Sequence, residues 1–153
     1  MANTYTQINI QVVFAIKGRE NALNELLMDQ TCKYMHGILV NLKQYPLAIG
    51  GYRNHVHVFF EYNPDTKLSD VVETVKSSTS KWINDNKMVM GHYEWQRGYG
   101  GFSYSRSQRD NVIKYIMTQK EHHKGKTFRE EYMEMLKNSE IDFDGRYVFE
   151  FYE

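Results

Sequence analysis

Residues 54–60 read NHVHVFF. His55 and His57 sit in a run whose other members, Val56, Val58, Phe59 and Phe60, are strong strand formers. Side chains two apart on a strand share a face, so both imidazoles point the same way from Cα atoms roughly 6.6 Å apart. Two such rings can lean onto one metal ion, whose bonds to nitrogen are about 2.1 Å long. The wet face of a half-exposed strand would use the same pair, so the rest of the chain decides between the two. Further along, in SQRDNVIKYIMTQKEHHKGK, Tyr115 and Gln119 are four residues apart and share one face of a helix. If that face covers the histidines, two imidazole nitrogens, an amide oxygen and a phenol come together. Such a mixed N/O set with open positions suits Mg²⁺ or Mn²⁺ held with waters and phosphate oxygens. The ion would polarise and orient a phosphoryl group, and the phenol would attack phosphorus as a covalent nucleophile. With 12 tyrosines in the chain, packing is the ordinary role of any one of them. His122 and His123 follow on the next turn. One of them can supplement or replace Gln119 at a metal, or both can simply complement the negative end of the helix dipole.

The elements that must position these groups are legible as hydrophobic periods. Ile8, Ile10, Val12 and Phe14 alternate with polar residues and predict a strand over 5–16, ended by Lys17-Gly18. Leu23, Leu26, Leu27, Tyr34, Ile38 and Leu39 predict a helix over 21–42. A strand over 47–52, a turn at Arg53-Asn54 and the histidine strand over 55–61 read as a hairpin. Pro46 and Pro64 both fall at expected turns. Val71, Val72, Val75, Thr79 and Trp82 predict a helix over 69–84. A fourth strand lies within 94–104, interrupted by Gly98, Gly100 and Gly101. A helix then runs over 107–123, opened by Ser107-x-x-Asp110 as a capping box. A tail over 127–153 holds a short helix at 128–136. The order is βαββαβ, an α+β, ferredoxin-like antiparallel sheet with two helices on one face, plus an additional C-terminal helix that carries the tyrosine. The first and third strands are then central neighbours. Histidines facing the helix side would be buried without partners, at high cost. Facing the open side, they form a floor for which the 107–123 helix is the available lid. One domain over 1–153 is expected, with its core at about 5–126.

The ordered set His-bulky hydrophobic-His, then a glycine-rich aromatic strand (GYGGFSYS), then Tyr-x-x-x-Gln on a helix (YIMTQ) resembles the single-tyrosine HUH transposases of small insertion sequences. The similarity runs from about residue 5 to residue 126. It implies His55, His57 and Gln119 as metal ligands and Tyr115 as the nucleophile. In the family that tyrosine attacks single-stranded DNA, leaving a 5′-phosphotyrosine link and a free 3′-OH. It also implies a homodimer, in which one subunit's tyrosine helix can complete the other's site, and recognition of DNA hairpins at the element ends. The chemistry is coherent. A phosphotyrosine keeps the energy of the broken phosphodiester, and a phenol with an ordinary pKa of about 10 needs nearby positive charge as it attacks.

Composition bounds the alternatives. Formal net charge is zero, with 19 basic and 19 acidic side chains, so no uniformly basic surface exists. Basic residues nonetheless gather near the tyrosine: Arg97, Arg106, Arg109, Lys114 and Lys120, followed by Lys124 and Lys126. With Tyr99, Phe102 and Tyr104 among them, they suit a single strand, with phosphates on cations and bases on rings. Lys76, Lys81 and Trp82 are further candidates for contact with a hairpin. The tail carries Glu130, Glu131, Glu134, Glu140, Asp142 and Asp144, and it has no counterpart in the resemblance. The one cysteine, Cys32, can form no internal disulfide and is expected buried on its helix. No signal segment or apolar span is visible, so a cytoplasmic protein without membrane contact is expected. The rival class is a non-catalytic nucleic-acid-binding or domesticated regulatory protein on the same fold. A two-histidine phosphoesterase would need a second His-x-Thr/Ser element, which is not visible.

Overall fold

The alternation around Val12 and Val58 produces two central strands, each with both faces covered. The computed structural model describes residues 3–18 and 22–152. Its sheet contains β1 (Asn9–Ala15), β2 (Tyr45–Tyr52), β3 (His55–Glu61) and β4 (Gly100–Tyr104), in the spatial order β2-β3-β1-β4 with every pairing antiparallel. The helices are α1 (Glu25–Asn41), α2 (Leu68–Asp85), α3 (Arg109–Met117), α4 (Gln119–His122) and α5 (Phe128–Asn138). This is the expected α+β, ferredoxin-like arrangement, with β1 and β3 in the centre.

One face of the sheet presents Ile10, Val12, Phe14, Val56, Val58 and Phe60 to α1 and α2, which answer with Met35, Leu39, Val71, Val72 and Val75. The opposite face is closed in two patches. Val112 and Ile116 of α3 pack on Ala48 and Phe59, and Phe128, Tyr132 and Leu136 of α5 pack on Val13, Ala15 and Phe102. The histidine face is therefore an interior and not a wet surface. Two helices cover it, where only one lid was expected.

Four local expectations are corrected. Pro46 lies inside β2, which begins at Tyr45, and a bulge falls between Pro46 and Ala48. An edge strand tolerates a proline that has no N–H to donate. The helix start expected at Asn21 lies outside the described residues; α1 opens at Glu25, where the Asn24 side chain accepts from the Leu27 N–H at 2.9 Å. The capping box belongs to Ser105 and Gln108, because the chain leaves β4 into a 3-10 turn (Arg106–Gln108) before α3 begins. The single helix expected over 107–123 is broken at Thr118, whose φ is −116° and ψ 30°. Its hydroxyl donates back to the Lys114 carbonyl at 2.7 Å, a local bond that competes with helix continuation.

Candidate metal and tyrosine site

His55 and His57 lie on β3 with no solvent exposure, both directed at the α3–α5 side. The strand takes its position from the hairpin with β2 and from its pairing with β1, where Val13 faces His57 and Ala15 faces His55. The two rings meet edge to face with centroids 5.1 Å apart, and Phe128 stacks flat on His55 at 3.9 Å.

The centre of the site is the carboxylate of Glu131, on α5. Its Oε1 lies 3.1 Å from His55 Nε2 and 3.0 Å from His57 Nε2. Its Oε2 accepts from Gln119 Nε2 at 3.2 Å and from the Tyr115 hydroxyl. Gln119 Oε1 in turn lies 3.0 Å from His55 Nε2 and 3.1 Å from His123 Nε2. Thus His55, His57, Tyr115 and Gln119, separated in sequence, converge on one carboxylate. The break at Thr118 does not separate Tyr115 from Gln119 at the site.

Outer contacts orient the rings. The Gln11 amide donates through Nε2 to the Tyr104 hydroxyl at 3.0 Å and turns its Oε1 to His57 Nδ1 at 2.6 Å. Asn54 Oδ1 lies 2.9 Å from His55 Nδ1. In both rings Nε2 is the nitrogen left facing inward. His122 does not join the group; it stacks on the Tyr115 ring at 4.2 Å, with Nε2 3.0 Å from the Thr118 hydroxyl.

Burial pushes His55 down to about 4, with its hydrogen bond to Glu131 only partly opposing. Burial alone would raise the Glu131 carboxyl. The electrostatic attraction of His57 and the hydrogen bonds of the three surrounding histidines outweigh it and hold Glu131 far below the usual carboxylate range. Burial, followed by the Glu131 charge, pushes Tyr115 well above the ordinary phenol range, so it rests as the protonated phenol. The ligand atoms of His55, His57 and Glu131 lie within 4.8 Å of one another, and the set of two imidazole nitrogens and a carboxylate oxygen is one a divalent ion accepts. A cleft of about 310 Å³, lined in part by Gln11, Tyr104, Gln108, Asn111, Tyr115 and Glu131, opens from this point to solvent.

The basic residues divide. Arg97, Arg106 and Lys114 are exposed. Arg109 is largely covered, donating to Asn9 Oδ1 at 2.8 Å and to Glu61, and so anchors the start of α3 to the sheet. Lys120 pairs with Glu25 at 2.6 Å. Away from the site, Lys76 donates to the carbonyls of Gln96 and Gly98, Lys81 pairs with Asp85, and Trp82 stacks on Tyr34.

Glu131 is the site residue that the reading of motifs missed. A signal was present. Phe128, Glu131, Tyr132, Met135 and Leu136 form one helical stripe, and a carboxylate inside an apolar stripe is affordable only when paired.

The class to which this fold and site belong is that of the transposases, DNA-processing enzymes. The chain belongs to the IS200-like transposase family, whose family model, Transposase IS200 like, matches residues 4–119. Two solved structures share the fold. One is a candidate transposase from Deinococcus radiodurans R1, 17% identical with a TM-score of 0.61, the alignment covering 78% of this chain and 95% of that one. The other is a REP-associated tyrosine transposase bound to a REP hairpin, 12% identical with a TM-score of 0.54, covering 76% of this chain and 68% of that one. No curated protein sequence matches the chain. Among the described residues, no helix is long and apolar enough to cross a membrane.

Proposed function

We propose that this transposase cuts and rejoins single-stranded DNA through Tyr115, at the hairpin-bearing ends of an insertion sequence. The observation that carries the reading is the convergence of the Tyr115 hydroxyl and both histidines on the Glu131 carboxylate. In the reaction the Tyr115 oxygen bonds to phosphorus and the bond from phosphorus to the 3′ oxygen breaks. The products are a 5′-phosphotyrosine and a 3′-hydroxyl, and the reverse attack by another 3′-hydroxyl restores the diester. Tyr115 starts protonated, so its proton leaves during attack, and Glu131 Oε2 already accepts that hydroxyl's hydrogen bond. His55, His57 and Gln119 are the proposed metal-holding residues, with Mg²⁺ or Mn²⁺ as the ion. When bound, such an ion polarises and orients a phosphoryl oxygen.

The cleft at Tyr115, which Lys126 also lines, is the proposed path of the strand, with the exposed Arg106 and Lys114 proposed for its phosphates, whereas Arg97 lines a separate groove against α2. Arg109 and Lys120 would join only by giving up their carboxylate partners. A homodimer is the proposed assembly; within one chain the tyrosine already meets its own histidines. The hairpin bound by the structural neighbour supports hairpin DNA as the substrate here.

The test is incubation of labelled single-stranded hairpin DNA, taken from the flanks of the encoding gene, with Mn²⁺ or Mg²⁺. Wild type is expected to form a protein–DNA adduct that survives a denaturing gel, and Tyr115→Phe to form none. Hairpin binding by wild type without an adduct would replace this reading with a non-catalytic binding module.

A further inference from the structure

The cleft beside Tyr115 is walled by two helices that use one spacing. Asn111, Val112 and Tyr115 line it from α3, and Glu131, Met135 and Asn138 line it from α5. Residues three, four or seven apart share a helix face, so each set is a single stripe. The stripes touch at their inner end, where the Tyr115 hydroxyl meets Glu131. One helical turn further out, about 5.4 Å along each axis, stand Val112 and Asn111 on one wall and Met135 on the other. Asn138 lies a turn beyond, at the mouth. Tyr104, the last residue of β4, closes the floor.

What this cleft leaves unspent is neutral hydrogen-bonding capacity. Lys126 is the one cation in its lining and is paired with Glu134, which lines it too. With Glu131, two carboxylates stand against one ammonium, a poor interior for a phosphate. The exposed cations proposed for phosphates, Arg106 and Lys114, do not line it. The side-chain amides of Asn111 and Asn138 have no hydrogen-bond partner among the described residues. The half-buried Tyr104 hydroxyl accepts from Gln11 Nε2 at 3.0 Å and donates to no described residue, so its hydrogen is available to the cleft. Val112 and Met135 supply apolar walls, and a thioether adapts well to a flat aromatic face. A volume of about 310 Å³ is at the small end of ligand pockets. Apolar walls, free amides and no spare positive charge fit a flat, uncharged heterocycle with donors and acceptors on its edge.

We infer that the α3–α5 cleft is a base pocket: one unpaired nucleobase of the cleaved strand, adjacent to the scissile phosphate, enters between Val112 and Met135 and is read by Asn111, Asn138 and Tyr104. The inference deepens the proposed strand path and rests on it. Unpaired bases are read by contact with their faces and by hydrogen bonds to their edges. An amide offers a donor beside an acceptor, the complement of the amino group and ring nitrogen of adenine, so adenine is the base expected. Side chains of the protein then select the nucleotide at the reacting tyrosine, in addition to any recognition of a hairpin elsewhere on the strand.

The test uses the full chain and single-stranded hairpin DNA from the flanks of the encoding gene. Once the bond cut by wild type is mapped, the nucleotide on each side of it is replaced in turn by each of the four bases and by an abasic unit. Adduct formation is then timed in single turnover. At one of the two positions the abasic strand is expected to react about 10–100-fold more slowly than the adenine strand, with adenine the fastest of the four bases. Asn111→Ala and Asn138→Ala, both at exposed helical positions, and Tyr104→Phe should each slow the adenine strand by at least about 5-fold and leave the abasic strand unchanged. Equal wild-type rates on all these strands overturn the inference and leave the tyrosine reaction standing. Variants that slow the abasic strand as much as the adenine strand also overturn it, since their effect is then not on the base. A second measurement needs no cleavage. The fluorescent base 2-aminopurine is placed at each unpaired position in turn and titrated with Tyr115→Phe. Its emission is expected to change at one position, and the change to be lost when Asn111→Ala is added. If wild type forms no adduct on any strand, the proposed function falls, and 2-aminopurine decides the pocket alone: no change at any position overturns it.

Discussion

Replacing Gly50 by alanine should move the tyrosine helix without touching any reacting group. Gly50 lies on β2 directly opposite His57, and α3 rests on it. A Cβ at position 50 would stand 2.6 Å from the Ile116 carbonyl oxygen, the residue after Tyr115, and 3.1 Å from its Cγ2. Real Cβ contacts essentially never fall below 3.0 Å, and few fall below 3.4 Å, so α3 must retreat by about 0.4–0.8 Å. Overpacking of this kind costs about 1–3 kcal/mol. Restricting the unfolded chain returns about 0.4–1 kcal/mol. The net expectation is a loss of about 0.5–2 kcal/mol in urea unfolding followed by tryptophan fluorescence. A misplacement near 1 Å can cost about 100-fold in rate, so adduct formation in single-turnover assays should slow by about 10–100-fold while hairpin binding persists. Gly37→Ala is the control. Nothing lies within 4 Å of a Cβ there, and the residue sits in α1, so that variant should gain about 0.5–1 kcal/mol and keep full activity. A Gly50→Ala protein as stable as Gly37→Ala, and cleaving at the wild-type rate, would refute the close seating of α3 on β2.

Two further outcomes follow from buried polar contacts and from the lone thiol. Gln11→Leu removes the acceptor on His57 Nδ1 at a site 2% exposed, which should cost the metal-free protein about 1–3 kcal/mol in urea unfolding; an unchanged midpoint would show that Gln11 does not hold the ring. Burial, with the Asp29 charge adding, pushes the Cys32 thiol up to about 12, so iodoacetamide at mildly alkaline pH should label it at least about 100-fold more slowly in the folded protein than in urea. Equal rates in the two states would contradict that environment.

The central features were legible because they rest on short-range pattern. The histidine strand carries β-formers on both sides and a turn before it, and its bounds at 55 and 61 coincide with β3. The βαββαβ order followed from runs that change period from 2 to 3.6, and helical spacing brought Tyr115 and Gln119 to one site, although the break at Thr118 puts them on different helices. Features decided by competition were not legible. Thr118 breaks its helix because one hydroxyl outbids the helical ladder, and Ser105 captures the cap because β4 ends one residue before it. Pro46 entered a strand because β2 is an edge, a property of the assembled sheet. Cys32, expected buried, is only partly covered, since it lines a groove beside α1. The tail was the largest gap. Its surplus of acids reads as solvated surface, whereas Glu131 is the one acid in the stripe that meets the histidines, a partnership between residues 74 and 76 positions apart in the chain.

Identification of the covalent link is the most direct test of the account. The adduct formed on single-stranded hairpin DNA would be digested with nuclease and protease, and the modified peptide sequenced by mass spectrometry. The account predicts a 5′-phosphate carried by the peptide that contains Tyr115, and by none of the other 11 tyrosines. A nucleotide on a different tyrosine, or cleavage that leaves no protein-linked phosphate, would contradict it.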